Sequence, residues 1–178
     1  MEQSLIIFSG LPGTGKSTLA RWLSSELHIP LLRIDDIAEL HGDEEFADEQ
    51  AFWTRMIDIL IRQVEGQINQ GFSVIVDSVF MGDDRAAIRR TARKSAVDFY
   101  ALHTFCSDED LWRSRVELRL RSYPQDDPAT WEQITNQRKD FRRWDPSQAL
   151  FLDAVNSVEE NKRKILDYIP GQGQTKPG

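Results

Sequence analysis

The chain has a single cysteine, Cys106, among its 178 residues, so it can form no internal disulfide and carries no cysteine-rich zinc site. That composition suits a reducing compartment. No stretch approaches the roughly 18 consecutive apolar residues of a membrane-spanning helix. The N-terminus also lacks the basic segment and apolar run of a secretory signal, and the expectation is a cytoplasmic protein with no membrane partner. Positive charge is scarce: 22 lysines and arginines stand against 29 aspartates and glutamates, a formal net charge of −7. A nonspecific nucleic-acid binder needs a basic surface to displace counterions, so that class is disfavoured. His28, His41 and His103 have no partners at metal-ligand spacing, and His103 and Cys106 read as packing residues. Internal repeats are lacking, and no change of composition marks a second domain. One domain over residues 1–169 is expected, followed by a disordered tail, 170–178, poor in apolar residues.

Glycine is not abundant, but three glycines fall in one stretch, Gly10-Leu11-Pro12-Gly13-Thr14-Gly15-Lys16-Ser17-Thr18. It follows the apolar run Leu5-Ile6-Ile7-Phe8 and precedes Leu19, Ala20, Leu23 and Leu27 at helical spacing, the strand-turn-helix setting that G-x-x-x-x-G-K-[ST] requires. Gly10, Gly13 and Gly15 let successive backbone N–H groups turn inward as a nest for phosphate oxygens. The helix aims its positive end at the same point. Lys16 reaches the β- and γ-phosphates, and the Ser17 hydroxyl is placed to ligate Mg²⁺. Thr14 and Thr18 complete the nucleotide-binding loop, Thr18 in a packing or capping role.

Beyond Pro30, Leu31–Ile34 reads as a second strand with Asp35-Asp36 at its carboxyl end, where ligands collect in an open α/β sheet. One of the two acids is expected to cap a helix over Ile37–Leu40 and the other to remain free for chemistry. From Asp36 to Glu49 the chain is rich in carboxylates, and between Ile34 and Thr54 it has no lysine or arginine. A long amphipathic helix is expected over 48–69, and a third strand, Phe72–Val76, ends in Asp77, the expected acid of a Mg²⁺ shell. The next helix starts near Met81–Asp84 and carries Arg85 one turn in, facing the site. A fourth strand covers Val97–Cys106. A helix capped by Ser107 runs to about Arg121, with Arg115 and Arg119 on one face. Tyr123–Pro128 breaks it, a helix follows from Trp131 to about Arg143, then a fifth strand at Ala149–Asp153 and a last helix over 158–169.

With these positions placed, the chain resembles the P-loop small-molecule kinases that include chloramphenicol phosphotransferase and the zeta-toxin-like kinases. The resemblance spans about residues 4–168 and rests on GLPGTGKST at 10–18, the acid pair in RIDD at 33–36, GFSVIVDS at 71–78 and RVELR at 115–119. It implies an α/β fold, a P-loop NTPase-type three-layer sandwich with a five-stranded parallel sheet and a small helical lid at about 115–140. It also implies ATP and Mg²⁺ as cofactors, with transfer of the γ-phosphate to a hydroxyl. By the same likeness Asp35 or Asp36 matches the acceptor-side base, Asp77 the metal-side acid, Arg85 an acceptor-side arginine, and Arg115 and Arg119 the lid pair that touches the nucleotide. Polynucleotide kinases of this superfamily place an arginine just after the acid pair, where this chain has Ile37-Ala38. The expected function is therefore an ATP-dependent kinase acting on a small hydroxyl acceptor, neutral or cationic given the acidic segment. The alternatives are an ATP-binding regulatory switch and a polynucleotide 5′-hydroxyl kinase.

Overall fold

In a computed structural model the described residues are 2–42, 44–123 and 129–170. Asp43, the Pro124–Pro128 part of the expected breaker and residues 171–178 of the expected tail lie outside them. Five strands form one parallel sheet in the order β2-β3-β1-β4-β5: β1 Ser4–Ser9, β2 Leu31–Arg33, β3 Val74–Asp77, β4 Asp98–Phe105 and β5 Leu150–Asp153. The central strand β1 is buried along its whole length, as expected of an apolar run covered on both faces. The connection leaving β1 runs through a helix to β2 on one side, and that leaving its neighbour β3 runs through a helix to β4 on the other, so the loop leaving β1 emerges at the topological switch point, where ligands bind such sheets.

Seven helices complete the described fold: α1 Lys16–Leu27, α2 Ile34–Leu40, α3 Glu49–Asn69, α4 Asp84–Lys94, α5 Glu109–Ser122, α6 Trp131–Asp140 and α7 Val158–Tyr168. One face of the sheet packs against α1 and α7 through Ile6, Phe8, Leu19, Leu23, Leu152 and Ile165. The other packs against α2, α3 and α4 through Leu5, Ile7, Ile37, Met56, Leu60, Val76 and Ile88. This is the three-layer sandwich. A third apolar cluster, Leu11, Trp112, Val116 and Ile134, lies between the loop after β1 and the pair α5–α6.

Three boundaries differ from the sequence reading in ways that matter for the site. Strand β2 stops at Arg33, because Ile34 turns its side chain into the α3-side core and starts α2 there. Both acids of RIDD therefore sit in the first turn of α2, and the residue capping that helix is Arg33, with no side-chain cap; neither aspartate is spent on capping. Helix α5 is capped by Asp108, whose carboxylate accepts from the Leu111 N–H at 2.9 Å, not by Ser107. Helix α6 ends at Asp140 rather than near Arg143. Phe141 there leaves the helix in an extended conformation, and its ring packs 5.6 Å from that of His103.

Candidate active site

The loop from Gly10 to Gly15 is held by three contacts, each of which needs a particular residue. Gly10 has φ +143° and lies so close to β4 that a Cβ there would stand 2.2 Å from the Thr104 carbonyl oxygen. The Thr14 hydroxyl is 2.7 Å from both the Leu11 carbonyl and the Thr104 hydroxyl, and it donates to the former. The indole N–H of Trp112 donates to the Pro12 carbonyl at 2.8 Å. Gly13 (φ +80°) fits beneath α5 only without a side chain, since a Cβ would meet Val116 Cγ2 at 2.7 Å. Gly15, at φ +89°, caps α1 in the left-handed conformation. The sequence identified this loop but not its two fasteners, Trp112 and Thr104. A tryptophan on a helix and a threonine at a strand end carry no motif of their own.

Helix α5 is thus fixed to the phosphate loop, and it carries the arginine pair. A cavity of about 640 Å³ is lined by Gly13 to Leu19, by Arg115 and Arg119 from α5, by Tyr123, by Arg21 and Arg33, and by Ala154, Asn156, Val158 and Asn161 after β5. Among the described residues Arg115 and Arg119 have no ion-pair partner. Their neighbours Arg113 and Arg121 are both spent on Glu117, at 2.8 and 3.4 Å. Salt bridging on this helix belongs to that other face, which leaves the cavity-facing pair free for a ligand of opposite charge. The segment after β5 was missed by sequence reasoning. Asn161 there is buried, its amide N–H donates to the Asp153 carbonyl at 2.8 Å, and its Oδ1, itself buried, has no hydrogen-bond partner.

The acids meet at one arginine. Strands β2 and β3 align Arg33 with Asp77, and the Arg33 guanidinium sits among three carboxylates: Nη2 is 3.1 Å from Asp35, Nη1 is 2.5 Å from Asp36 and Nε is 3.5 Å from Asp77. Asp35 and Asp36 are more than half exposed, whereas the Asp77 side chain is 3% exposed and neither of its oxygens has a hydrogen-bond partner. A buried carboxylate left without hydrogen bonds is costly unless a cation completes it. Hard oxygen donors such as Asp77 and the Ser17 hydroxyl are what Mg²⁺ takes, so the residues present fit that ion.

Like Asp35, Asp36 and Asp77, Arg85 is not among the residues lining the cavity; its Nε donates to the Phe80 carbonyl at 2.9 Å and its guanidinium stacks 4.8 Å from the Phe141 ring and 5.1 Å from the Trp144 ring. Burial draws its pKa down to about 10, so it stays charged at neutral pH. His103, 1% exposed, lies against the same Phe141 ring, and burial, followed by the charges of Arg85 and Arg143, depresses its pKa to about 4. The unfolded chain takes up this proton near pH 6.5 and the folded one only near pH 4, so the folded state loses stability as pH falls through that window. A loss of about 2 kcal/mol between pH 7 and pH 4.5 is expected from this group. Urea denaturation at the two pH values should show it, and in His103→Leu that part of the slope should vanish.

Among the described residues no helix is long and apolar enough to cross a membrane, and no group of three or more His, Cys, Asp or Glu side chains gathers as a metal site. No curated protein sequence matches the chain. Solved structures do. A gluconokinase from Sinorhizobium meliloti 1021 superposes with a TM-score of 0.66 at 15% identity, covering 92% of this chain and 90% of that one. The Mycobacterium tuberculosis APS kinase CysC in complex with AMPPNP and APS gives 0.68 at 20% identity, covering 94% and 97%. Chaetomium thermophilum Kti12 in complex with ADP-AlF3 gives 0.73 at 20% identity, covering 94% and 100%. At these identities the likeness is one of fold, a P-loop NTPase fold shared with kinases. The phosphate loop, the arginine-bearing helix and the acid-tipped strands that build this site all fall inside the stretch recognised by a family's sequence model, residues 5–144: the chain belongs to the AAA domain family.

Proposed function

We propose that the chain is an ATP-dependent kinase that transfers the γ-phosphate to a hydroxyl of a small, neutral or cationic acceptor, in the manner of the chloramphenicol phosphotransferase-like kinases. The observation that carries this reading is the convergence on one cavity of Lys16 and Ser17 with two unpaired arginines, Arg115 and Arg119. Lys16 and the backbone of 13–18 bind the triphosphate, and the arginines neutralise charge that spreads over the transferred group. Mg²⁺, when bound by Ser17 and Asp77, supplies charge neutralisation at the phosphates.

In the transfer step the acceptor oxygen forms a bond to the γ-phosphorus as the bond to the β-bridging oxygen breaks. The hydroxyl proton passes to Asp35 or Asp36, and ADP leaves. The acid-rich segment from Asp36 to Glu49 borders that side, with no lysine or arginine to hold an acceptor phosphate. The test is γ-phosphate tracking across sugars, nucleosides, hydroxylated antibiotics and RNA 5′-hydroxyl ends. Label should appear on one class of small alcohol and fall at least tenfold, with ATP affinity kept, in Asp35→Asn or Asp36→Asn. Label on a phosphorylated acceptor in preference to its hydroxyl counterpart would refute the acceptor class.

A second reading, a nucleotide-binding regulatory protein, draws on one observation: both candidate bases are already engaged by Arg33. Under it, ATP binds tightly, no acceptor is labelled, and neither aspartate substitution matters.

A further inference from the structure

Arg33 opens the RIDD segment, whose acids alone were assigned a role, yet it touches every carboxylate of the site. Asp77 is deeply buried and bare of hydrogen bonds, and the Arg33 Nε at 3.5 Å is its cationic neighbour among the described residues. That contact is looser than the other two the guanidinium makes, 3.1 Å to Asp35 and 2.5 Å to Asp36, both of them hydrogen bonds. One side chain thus grips an exposed pair firmly and a buried acid weakly. It is itself only 15% exposed, and it also lines the nucleotide cavity. The next lysine or arginine along the chain is Arg55, so no neighbour in the segment substitutes for it.

We propose that Arg33 is a positioning residue that links the two acid sites: its guanidinium holds Asp77 when no metal is bound and cedes that carboxylate when a divalent cation arrives, while continuing to orient Asp35 and Asp36. The physical reason is competition. A buried carboxylate needs a positive partner at all times, and two cations a few ångströms apart repel strongly where water is excluded. Asp77 accordingly exchanges one partner for the other. The weak Nε contact is the one that yields, because the guanidinium keeps two hydrogen bonds to the exposed acids when it does. Metal affinity at Asp77 is therefore set against the charge of Arg33, and the carboxylates offered to the acceptor move with the same group. This inference rests on the nucleotide-binding reading above.

The test is binding of a fluorescent ATP analogue, mant-ATP, as Mg²⁺ is titrated. Arg33→Gln should lower the half-maximal Mg²⁺ concentration about three- to tenfold. Arg33→Lys, which keeps the charge, should stay within about twofold of the parent protein. In an Asp77→Asn background the effect of Arg33→Gln should disappear, since the shared carboxylate is gone. An unchanged or raised midpoint in Arg33→Gln, or a shift that persists without Asp77, overturns the proposal. If Arg33→Gln is destabilised by its bare Asp77, Mg²⁺ alone should raise its Tm by more than it raises that of the parent; equal increments overturn the proposal as well. Failure of the parent protein to bind mant-ATP at any Mg²⁺ concentration removes the kinase reading and this inference together. Binding without the shift removes only the inference.

Discussion

Replacing Arg115 and Arg119 together by alanine is expected to lower the rate of phosphoryl transfer about a thousandfold, while the concentration of ATP needed for half-saturation rises far less. Both side chains project from α5 into the cavity that holds Lys16 and Ser17, and neither has an ion-pair partner among the described residues to hold it back. The charge they meet is greatest when the γ-phosphoryl group is between donor and acceptor, so their removal costs the transition state more than the ground state. Their geometry is not left to a loose helix. Trp112 and Val116, one turn apart on α5, rest on the phosphate loop, and the Trp112 indole donates to the Pro12 carbonyl. The paired arginines of the same helix supply the control. Arg113 and Arg121 clamp Glu117 in solvent, so replacing both should change transfer by no more than about threefold and leave stability little altered. Steady-state transfer kinetics on the two double variants decide the matter; a fall of less than tenfold for the Arg115 and Arg119 pair would show that α5 does not close on the reacting group.

The cations and the acids of this site come from different parts of the fold. Lys16, Arg115 and Arg119 come from α1 and α5, which meet over the loop leaving β1. Asp77 ends β3, and Asp35 and Asp36 open α2 directly after β2; both strands lie on the other side of β1 from β4, the strand that leads into α5. Arg33 is the exception, a cation on the acid side, and it keeps three carboxylates from repelling one another.

Much of this was legible in the chain because local chemistry and tertiary demand coincide there. Gly10, Gly13 and Gly15 announce the loop since only glycine supports their positive φ angles. Asp77 is legible because an acid closing an apolar strand has to face the open end of the sheet. The spacing of Arg115 and Arg119 places them on one helical face whatever that face meets. The role of Arg33 was not legible: it stands in RIDD inside the expected strand, and what it touches depends on β2 aligning with β3 in a register the sequence does not print. Trp112, Thr104 and Asn161 were hidden in the same way, each an ordinary packing or helix residue whose polar atom matters only because of what the fold sets beside it. The early end of α6 has a tertiary cause as well, since Phe141 leaves the helix to stack between His103 and Arg85.

Gly10→Ala is expected to cost about 4 kcal/mol of folding stability, against about 1 kcal/mol for Gly15→Ala at the other end of the same loop. Both glycines have positive φ, so backbone strain of order 1 kcal/mol is common to the two. They differ in what a methyl group would meet. At Gly15 there is nothing within 4 Å. At Gly10 the new atom would stand 2.2 Å from the Thr104 carbonyl oxygen and 2.5 Å from its hydroxyl, and the first of these is backbone of β4 that cannot rotate away. Relief requires β1 and β4 to separate where they are paired through Ser9 and His103, and it breaks the Thr104–Thr14 contact that shapes the phosphate loop. Urea denaturation of the two variants measures the difference, and mant-ATP binding to whatever fraction folds reports on the loop. If Gly10→Ala proved no worse than Gly15→Ala, the close approach of the loop to β4 would have to be adjustable, and Thr104 would lose its claim to shape the nucleotide site. If the gap is as large as expected, the first glycine of the motif serves the strand neighbour before it serves the ligand.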